Sequence, residues 1–505
     1  MSTASPAVAA TTPWQRLSTR MLVVHPIVEL GRAVPWLAGL VLAGSRSGNG
    51  DTWGLVGVAF TIGFATLRWL TTRYRITPDQ VQIRRGLLRR QLVSVSRDRV
   101  RTVDVTSHAL HRVLGLARVT VGTGRSDRRG GGDLRLDGLA TADAAALREE
   151  LLHRAPPAAA AATAPQAAAA PDAVLARLQP RWIAYGPFTL MGVVAIGVAA
   201  GLASRLFNEG AVDPRDVGPL RSAVDHLGRI PLALAIAEVA VVGLAFVAVA
   251  STFGYVLAFW GFSLSRSPRG TLHVKRGLLT TRATSIEERR LRGIEVSEPL
   301  LLRAVGGARC IAIATGLRVG RGAERGGSLL LPPAPRAEAD RVAAAVLGDD
   351  APLAAPLRAH GPRARRRRFT RALAAAGLVA AAIAALGVAL GWPAPAFLAA
   401  LAPPAVAIGL AMDRYRSLGH ALVGGRLVTR TGSLVRRRSV LACEGVIGFN
   451  LRRSFFQRRA GLATVVATTA AGHQRYAVAD LDAAEAIALA DATVPGLLAP
   501  FLADG

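Results

Sequence analysis

The chain has 505 residues, of which 51% are apolar and 19% charged, with a net charge of +29 and a positive mean hydropathy. That length excludes one ordinary hydrophobic core. An apolar excess beside so much charge excludes an ordinary soluble globule, because the two must be segregated along the chain, as in a membrane protein with basic soluble parts.

In chain order, residues 1–26 are expected to be a flexible N-terminus, small and polar with Pro6 and Pro13. His25, Glu29 and Arg32 deny it the apolar core of a secretory signal. A first apolar hairpin is expected over 27–70, with runs from Ala33 to Gly44 and from Trp53 to Leu67 that fall short of the roughly 20 residues a crossing needs. A β-rich domain follows over 71–154. There Val81/Ile83, Val93/Val95 and Val103/Val105 alternate with polar residues, and TADAAALREELLHR reads as a closing helix with Thr141 at its N-cap. Residues 155–180 form an Ala/Pro linker.

The second hairpin, 181–261, contains an uncharged run from Ile183 to Ser204 and a longer one from Ile230 to Leu264 that carries only Glu238. An acid in such a helix is either functional or sits at the outer interface; the sequence leaves both open. A second β-rich domain spans 262–348, a Pro/Arg linker 349–370 ends in ARRRRFTR, a third hairpin covers 371–412, and a third β-rich domain closes the chain over 413–505.

The β-rich stretches share a register. Gly86 and Gly115, Gly277 and Gly306, and Gly432 and Gly461 are each 29 positions apart, and Arg112, Arg303 and Arg458 each precede the second glycine by three. Val103, Ile294 and Phe449 occupy one column, and Leu110, Leu301 and Phe456 another. The reading is a triplication of hairpin plus β domain. Arginines such as Arg68, Arg73, Arg75, Arg177, Arg181, Arg266, Arg365 to Arg368, Arg414 and Arg416 flank the same ends of the hairpins. The positive-inside rule then puts both termini and all three β domains in the cytoplasm, with the chain multi-pass in the cell (inner) membrane.

Catalytic signatures are missing. Lys275, the only lysine, lies in HVKRG rather than in a phosphate-cradling GK[ST]; there is no HExxH and no GxSxG, and His108-x-x-His111 reads as a polar turn. No catalytic residue, metal site or cofactor is expected. Nucleic acid is not an expected partner, because the arginines hug membrane ends and few aromatics interleave with them.

The motifs YRIT at 74–77, V-Q-I-R-R-G-L-L at 81–88, D-R-V-R-T-V-D-V at 98–105 and the close ending at Gly124 resemble the bacterial pleckstrin-homology-like (PH-like) domain family. The tandem order is similar to membrane-anchored YdbS/YdbT-type proteins. The resemblance implies a strongly bent, seven-stranded antiparallel sheet capped by a C-terminal helix in each copy. The expected fold class is therefore six transmembrane helices in three pairs, each pair followed by a PH-like α+β domain.

The binding candidates are Arg84, Arg85, Arg89 and Arg90 around the Gly86 turn, where an anionic inner leaflet would attract them. Arg436 to Arg438 follow Gly432 in the same way, and the Gly/Arg loops 122–132 and 316–327 could hold phosphate through backbone amides. The expected function is a membrane scaffold presenting three cytoplasmic domains to membrane lipids or a protein partner, in cell-envelope maintenance. The alternative is a small transporter or envelope factor acting through its spans.

Overall fold

A computed structural model of the protein describes residues 13–30, 33, 50–77, 79–86, 91–97, 100, 102–122, 133–152, 171–189, 191–193, 197, 200–201, 204, 218–317 and 328–497. The chain divides into two compact units. One comprises Met1–Ala173, Ser265–Arg289 and Gly316–Arg318; the other comprises Val174–Leu264, Arg290–Thr315 and Val319–Gly505.

In the first unit, β1 (Gln15–Arg16), β2 (Arg73–Ile76), β3 (Gln80–Arg85) and β4 (Gln91–Ser96) form one antiparallel sheet in that order. The expectation of a flexible segment up to residue 26 is corrected from residue 13 onward. Gln15 and Arg16 pair with Tyr74 and Arg73, and the Arg75 guanidinium lies 4.8 Å from the Trp14 ring centroid. Leu17, Met21 and Val24 are buried in the core, the last two from α1 (Met21–Leu30). Apolar residues spaced three and four apart meet the β core and gain about 1.5–3 kcal/mol each on full burial.

After α2 (Gly50–Leu70) and the first sheet come β5 (Thr102–Ser107), the short α3 (Ala109–Val113), β6 (Leu116–Gly122), β7 (Asp133–Ala140) and α4 (Thr141–Leu152). Alternation holds except at Val93, which is exposed: Val81, Ile83 and Val95 from one sheet meet Val103, Val119, Val121, Leu134 and Leu136 from the other, with Ala144 and Leu147 of α4 in the same core. The second sheet does not end with its own copy. Beyond β5 it continues into β9 (Thr281–Glu287) and β8 (Thr271–Arg276), giving the order β7-β6-β5-β9-β8 within this unit.

The second unit repeats that plan. It holds β10 (Leu291–Pro299), β11 (Gly307–Ala314) and β12 (Leu329–Pro335), then β13 (Gly419–Val423), β14 (Arg426–Thr431) and β15 (Val435–Ala442), in one six-stranded antiparallel sheet ordered β12-β11-β10-β15-β14-β13. The strands β16 (Gly448–Arg452), β17 (Leu462–Thr468) and β18 (Arg475–Asp482) make a separate three-stranded sheet. A core of Leu427, Leu441, Val465, Ala467, Val478 and Leu481 joins the third group of strands, with Ala486, Leu489 and Ala490 supplied by the closing helix Ala483–Thr493.

A single seven-stranded sheet per copy is thus corrected. Each copy's strands fall into two sheets; the first and third copies share one of theirs with the second copy, and the second copy shares both. The physical reason is that a strand edge offers unpaired N–H and C=O groups, which the next copy's third strand satisfies.

The same unit carries α5 (Gly218–Arg229), α6 (Leu232–Phe259), α7 (Leu300–Ala304), α8 (Arg336–Leu347), α9 (Gly361–Ala389), α10 (Ala402–Arg416), α11 (Phe455–Arg459) and α12 (Ala483–Thr493). Against an expectation of six spans in three pairs, the described residues contain three helices long and apolar enough to cross a membrane: Leu232–Phe259, Gly361–Ala389 and Ala394–Arg416, the last beginning with a 3-10 stretch. The apolar part of α2, Gly54–Leu67, is shorter. The expected partner run at 33–44 lies outside the described residues except for Ala33. The run at 183–204 opens as a 3-10 helix, Pro180–Thr189, and most of its remainder also lies outside them. Where the second hairpin is described it is close: the Gly192 amide donates to Ser251 Oγ at 2.8 Å, and a Cβ on Gly192 would stand 2.4 Å from the Val247 carbonyl oxygen.

The run ARRRRFTR, expected in a linker, is helical and forms the first turns of α9. Its Ala364 is fully buried, and Arg363 and Arg367 on the same turns pair with Asp482 and Asp480 of the third β domain.

Candidate functional site

Copies are joined by edge pairing of one repeated geometry. Gly86, Gly277 and Gly432 have φ of 102°, 107° and 100°, and Gly115, Gly306 and Gly461 have 66°, 70° and 69°. A side chain at Gly277 or Gly432 would place Cβ 2.0 Å from the carbonyl oxygen of Thr280 or Val435. Arg112, Arg303 and Arg458 lie on the equivalent short helices α3, α7 and α11. At the first seam β5 meets β9 with Asp104 opposite Thr284 and Val103 opposite Ser285. At the second, β10 meets β15 with Glu295 opposite Ser439 and Ile294 opposite Val440. Counted from the glycines, these registers are identical.

Side chains lock each seam. In the first unit, Arg112 donates to the Leu278 carbonyl at 2.5 Å and His108 lies 3.2 Å from Thr280 Oγ1. Arg148 of α4 donates to Ser285 Oγ at 2.6 Å. In the second unit, buried Glu298 faces Arg336 at 2.8 Å and Arg436 at 3.8 Å, while buried Glu295 faces Arg437 at 3.5 Å. Arg303 and Arg436 converge on Asp413, at 2.9 and 3.2 Å. Arg438 donates to the carbonyls of Pro352 and Ala355. The basic cluster Arg436 to Arg438 is therefore spent inside the protein rather than offered to a ligand.

Much of the α9 run is spent likewise. Arg367 and Arg368 both reach Asp480, which is fully buried, and Arg363 reaches Asp482 at 3.0 Å. Gln457 also donates to Asp480 at 2.8 Å. These carboxylates clamp the start of the span to β18.

Among the residues expected to bind, Arg84 lies on β3, half-buried and opposite Leu92. Arg85 ends that strand, but its side chain is outside the described residues, as are Arg89 and Arg90. Loop residues 123–132 and 318–327, and Asp98, also lie outside them. Glu238, on α6, pairs with His226 of α5 at 3.1 Å.

Two features escaped sequence reasoning. His360 and His420 are buried with ring nitrogens 3.2 Å apart; His360 Nδ1 donates to the Ala479 carbonyl at 2.7 Å, and His420 Nε2 lies 3.8 Å from Glu485. Burial pushes both rings down to about 4. Their separation of 60 positions left no local signal. The other feature is the exposed stretch LRRSFFQRR at 451–459 on the outer side of the last sheet. Phe455 and Phe456 are 58% and 71% exposed, and their rings pack edge to face at 5.5 Å. Arg452, Arg453, Arg458 and Arg459 are all exposed around them.

Comparison with known families gives one match. Residues 26–155 and 372–493 match the family described as Bacterial PH domain, so this domain is present twice in the chain. No curated protein and no solved structure matches the chain. The two matched stretches contain most of two hydrophobic cores, one around Val81, Val119 and Leu136 and one around Leu427, Val465 and Leu481. No group of three or more His, Cys, Asp or Glu side chains that could hold a metal ion occurs among the described residues.

Proposed function

We propose that the protein is an integral membrane scaffold of the YdbS/YdbT type. In this reading three hairpins each precede a PH-like domain, six spans anchor the chain, and the domains face the cytoplasm to engage inner-leaflet lipid or a protein partner. The observation that carries the reading is the β10–β15 seam together with its counterpart β5–β9. Successive copies are welded by backbone pairing in one register, which a platform needs and a set of independently mobile domains does not. Apolar helices exposed along their length, such as α6 with Leu234, Val241, Leu244 and Phe253, support the membrane anchoring. The Gly86 turn with Arg84, Arg85, Arg89 and Arg90 is one proposed contact face. Its test is the full chain in vesicles: a protease added on the domain side should release the β domains and leave the spans in the lipid. Extraction of the intact chain by alkaline carbonate would refute anchoring.

A further inference from the structure

We infer that the exposed turn Leu451–Arg459 is a membrane-docking element that inserts Phe455 and Phe456 among the headgroups of an anionic leaflet. The inference deepens the scaffold reading and rests on it.

Placement comes first. Ser454, the N-cap of α11, accepts from Gln457 in a capping box that holds the turn rigid. Its hydroxyl is 3.5 Å from Arg367 on α9. Arg367 precedes Ala372, where the apolar run of the span begins, by five residues, or about 7.5 Å of helix. The turn therefore stands beside the point where α9 enters the lipid, at headgroup depth.

Chemistry comes second. Two exposed phenyl rings on a soluble face are costly in water and suit the boundary between headgroup and acyl chain. Four arginines surround them with no acid between Leu451 and Arg459. Arg363, Arg367 and Arg368 of α9 and Arg436 and Arg437 of β15 meet Asp480, Asp482, Glu295, Glu298 or Asp413, whereas these four face outward. A guanidinium cluster of this kind fits phosphodiester headgroups.

The alternative occupant is a second copy, pairing β16 with a neighbour's β4 in the register of the internal seams. The residues argue against it. Where the inner seams have Asp104 and Glu295, the outer edge has Asn450; where they have Ser107 and Glu298, it has Arg453. Continuing the register would set Arg453 opposite the position of Arg90, like charge against like. The edge is blunted against its own kind.

The test uses the full chain with Cys310→Ala and Cys443→Ala, a single cysteine at Phe455 labelled with bimane, and vesicles whose acyl chains are brominated. With phosphatidylglycerol present the label should be quenched. Replacing Arg452, Arg453, Arg458 and Arg459 by Gln, or using phosphatidylcholine alone, should weaken the quenching by about threefold. A second label at Leu378, exposed on α9, separates the two readings. Quenching at 378 without quenching at 455 overturns docking and leaves the scaffold standing; no quenching at either overturns both. Quenching at 455 that ignores both the arginines and the anionic lipid also overturns docking. So does a loss of quenching in the glutamine variant that accompanies a fall in oligomeric mass, which would assign the turn to a second copy.

Discussion

Asp480→Asn should loosen the joint between the third β domain and its span. Asp480 is fully buried at φ 61° and neutralises Arg367 and Arg368, whose side chains are 12% and 21% exposed. Asn keeps the shape, tolerates the left-handed backbone and still accepts from Gln457, so the variant isolates the charge. Removing one partner from a buried ion pair costs about 3–5 kcal/mol. The partial exposure of both guanidiniums places this case near the low end, about 3 kcal/mol. Because a multidomain membrane chain has no single unfolding free energy, the readout is local: amide hydrogen exchange across β18 and the first turns of α9. The expected result is roughly a hundredfold faster exchange there, with β2–β4 unchanged. An increase of less than about fivefold, worth under 1 kcal/mol, would refute the claim that Asp480 clamps the span. Asp480→Ala should be worse, since a Cβ without a polar group resists that φ.

Glu298→Gln removes the buried carboxylate opposite Arg436 and Arg336. It should open the β10–β15 seam by about 2–4 kcal/mol, read as faster amide exchange in β15 while β17 stays protected. Gly432→Ala should be strongly destabilising, since φ is 100° and the new Cβ would meet the Val435 carbonyl oxygen; thermal scans of the detergent-solubilised chain should show an earlier transition. The His360–His420 pair predicts an acid-sensitive third domain. Above the unfolded value of 6.5 neither state binds a proton and the stability is complete. As pH falls from 6.5 toward about 4 only the unfolded state binds protons, so stability drops, by roughly 3 kcal/mol for each ring. Limited proteolysis across that window should show cleavage rising as pH falls, and His420→Phe should reduce the slope.

The local grammar of the fold was legible. Positive φ at the six framing glycines explains why the residue is glycine, and alternation at Val81/Ile83 and Val103/Val105 marked half-buried strands. What joins the copies was not legible, because the register of Glu295 on Ser439 links positions 144 apart and leaves no periodic trace. The arginines misled for the same reason. Arg367 and Arg436 look free in a window of neighbours, and their counter-charges Asp480 and Asp413 come from distant strands and helices. The N-terminal stretch looked polar, yet Leu17, Met21 and Val24 suffice to dock it once a β core exists. At 451–459 the sequence did carry the signal, two phenylalanines between arginine pairs, but only the outer position of β16 makes it meaningful.

The central claim, that the β domains share the basic, cytoplasmic side of a membrane which the hairpins cross, is tested most directly by thiol topology. In a chain with Cys310→Ala and Cys443→Ala, one cysteine is placed at Ala394, exposed at the tip of the last hairpin, or at Ala470, exposed between β17 and β18. A membrane-impermeant maleimide applied to intact cells should label Ala394→Cys, and should label Ala470→Cys only after the membrane is permeabilised. Labelling of Ala470→Cys in intact cells would contradict the account.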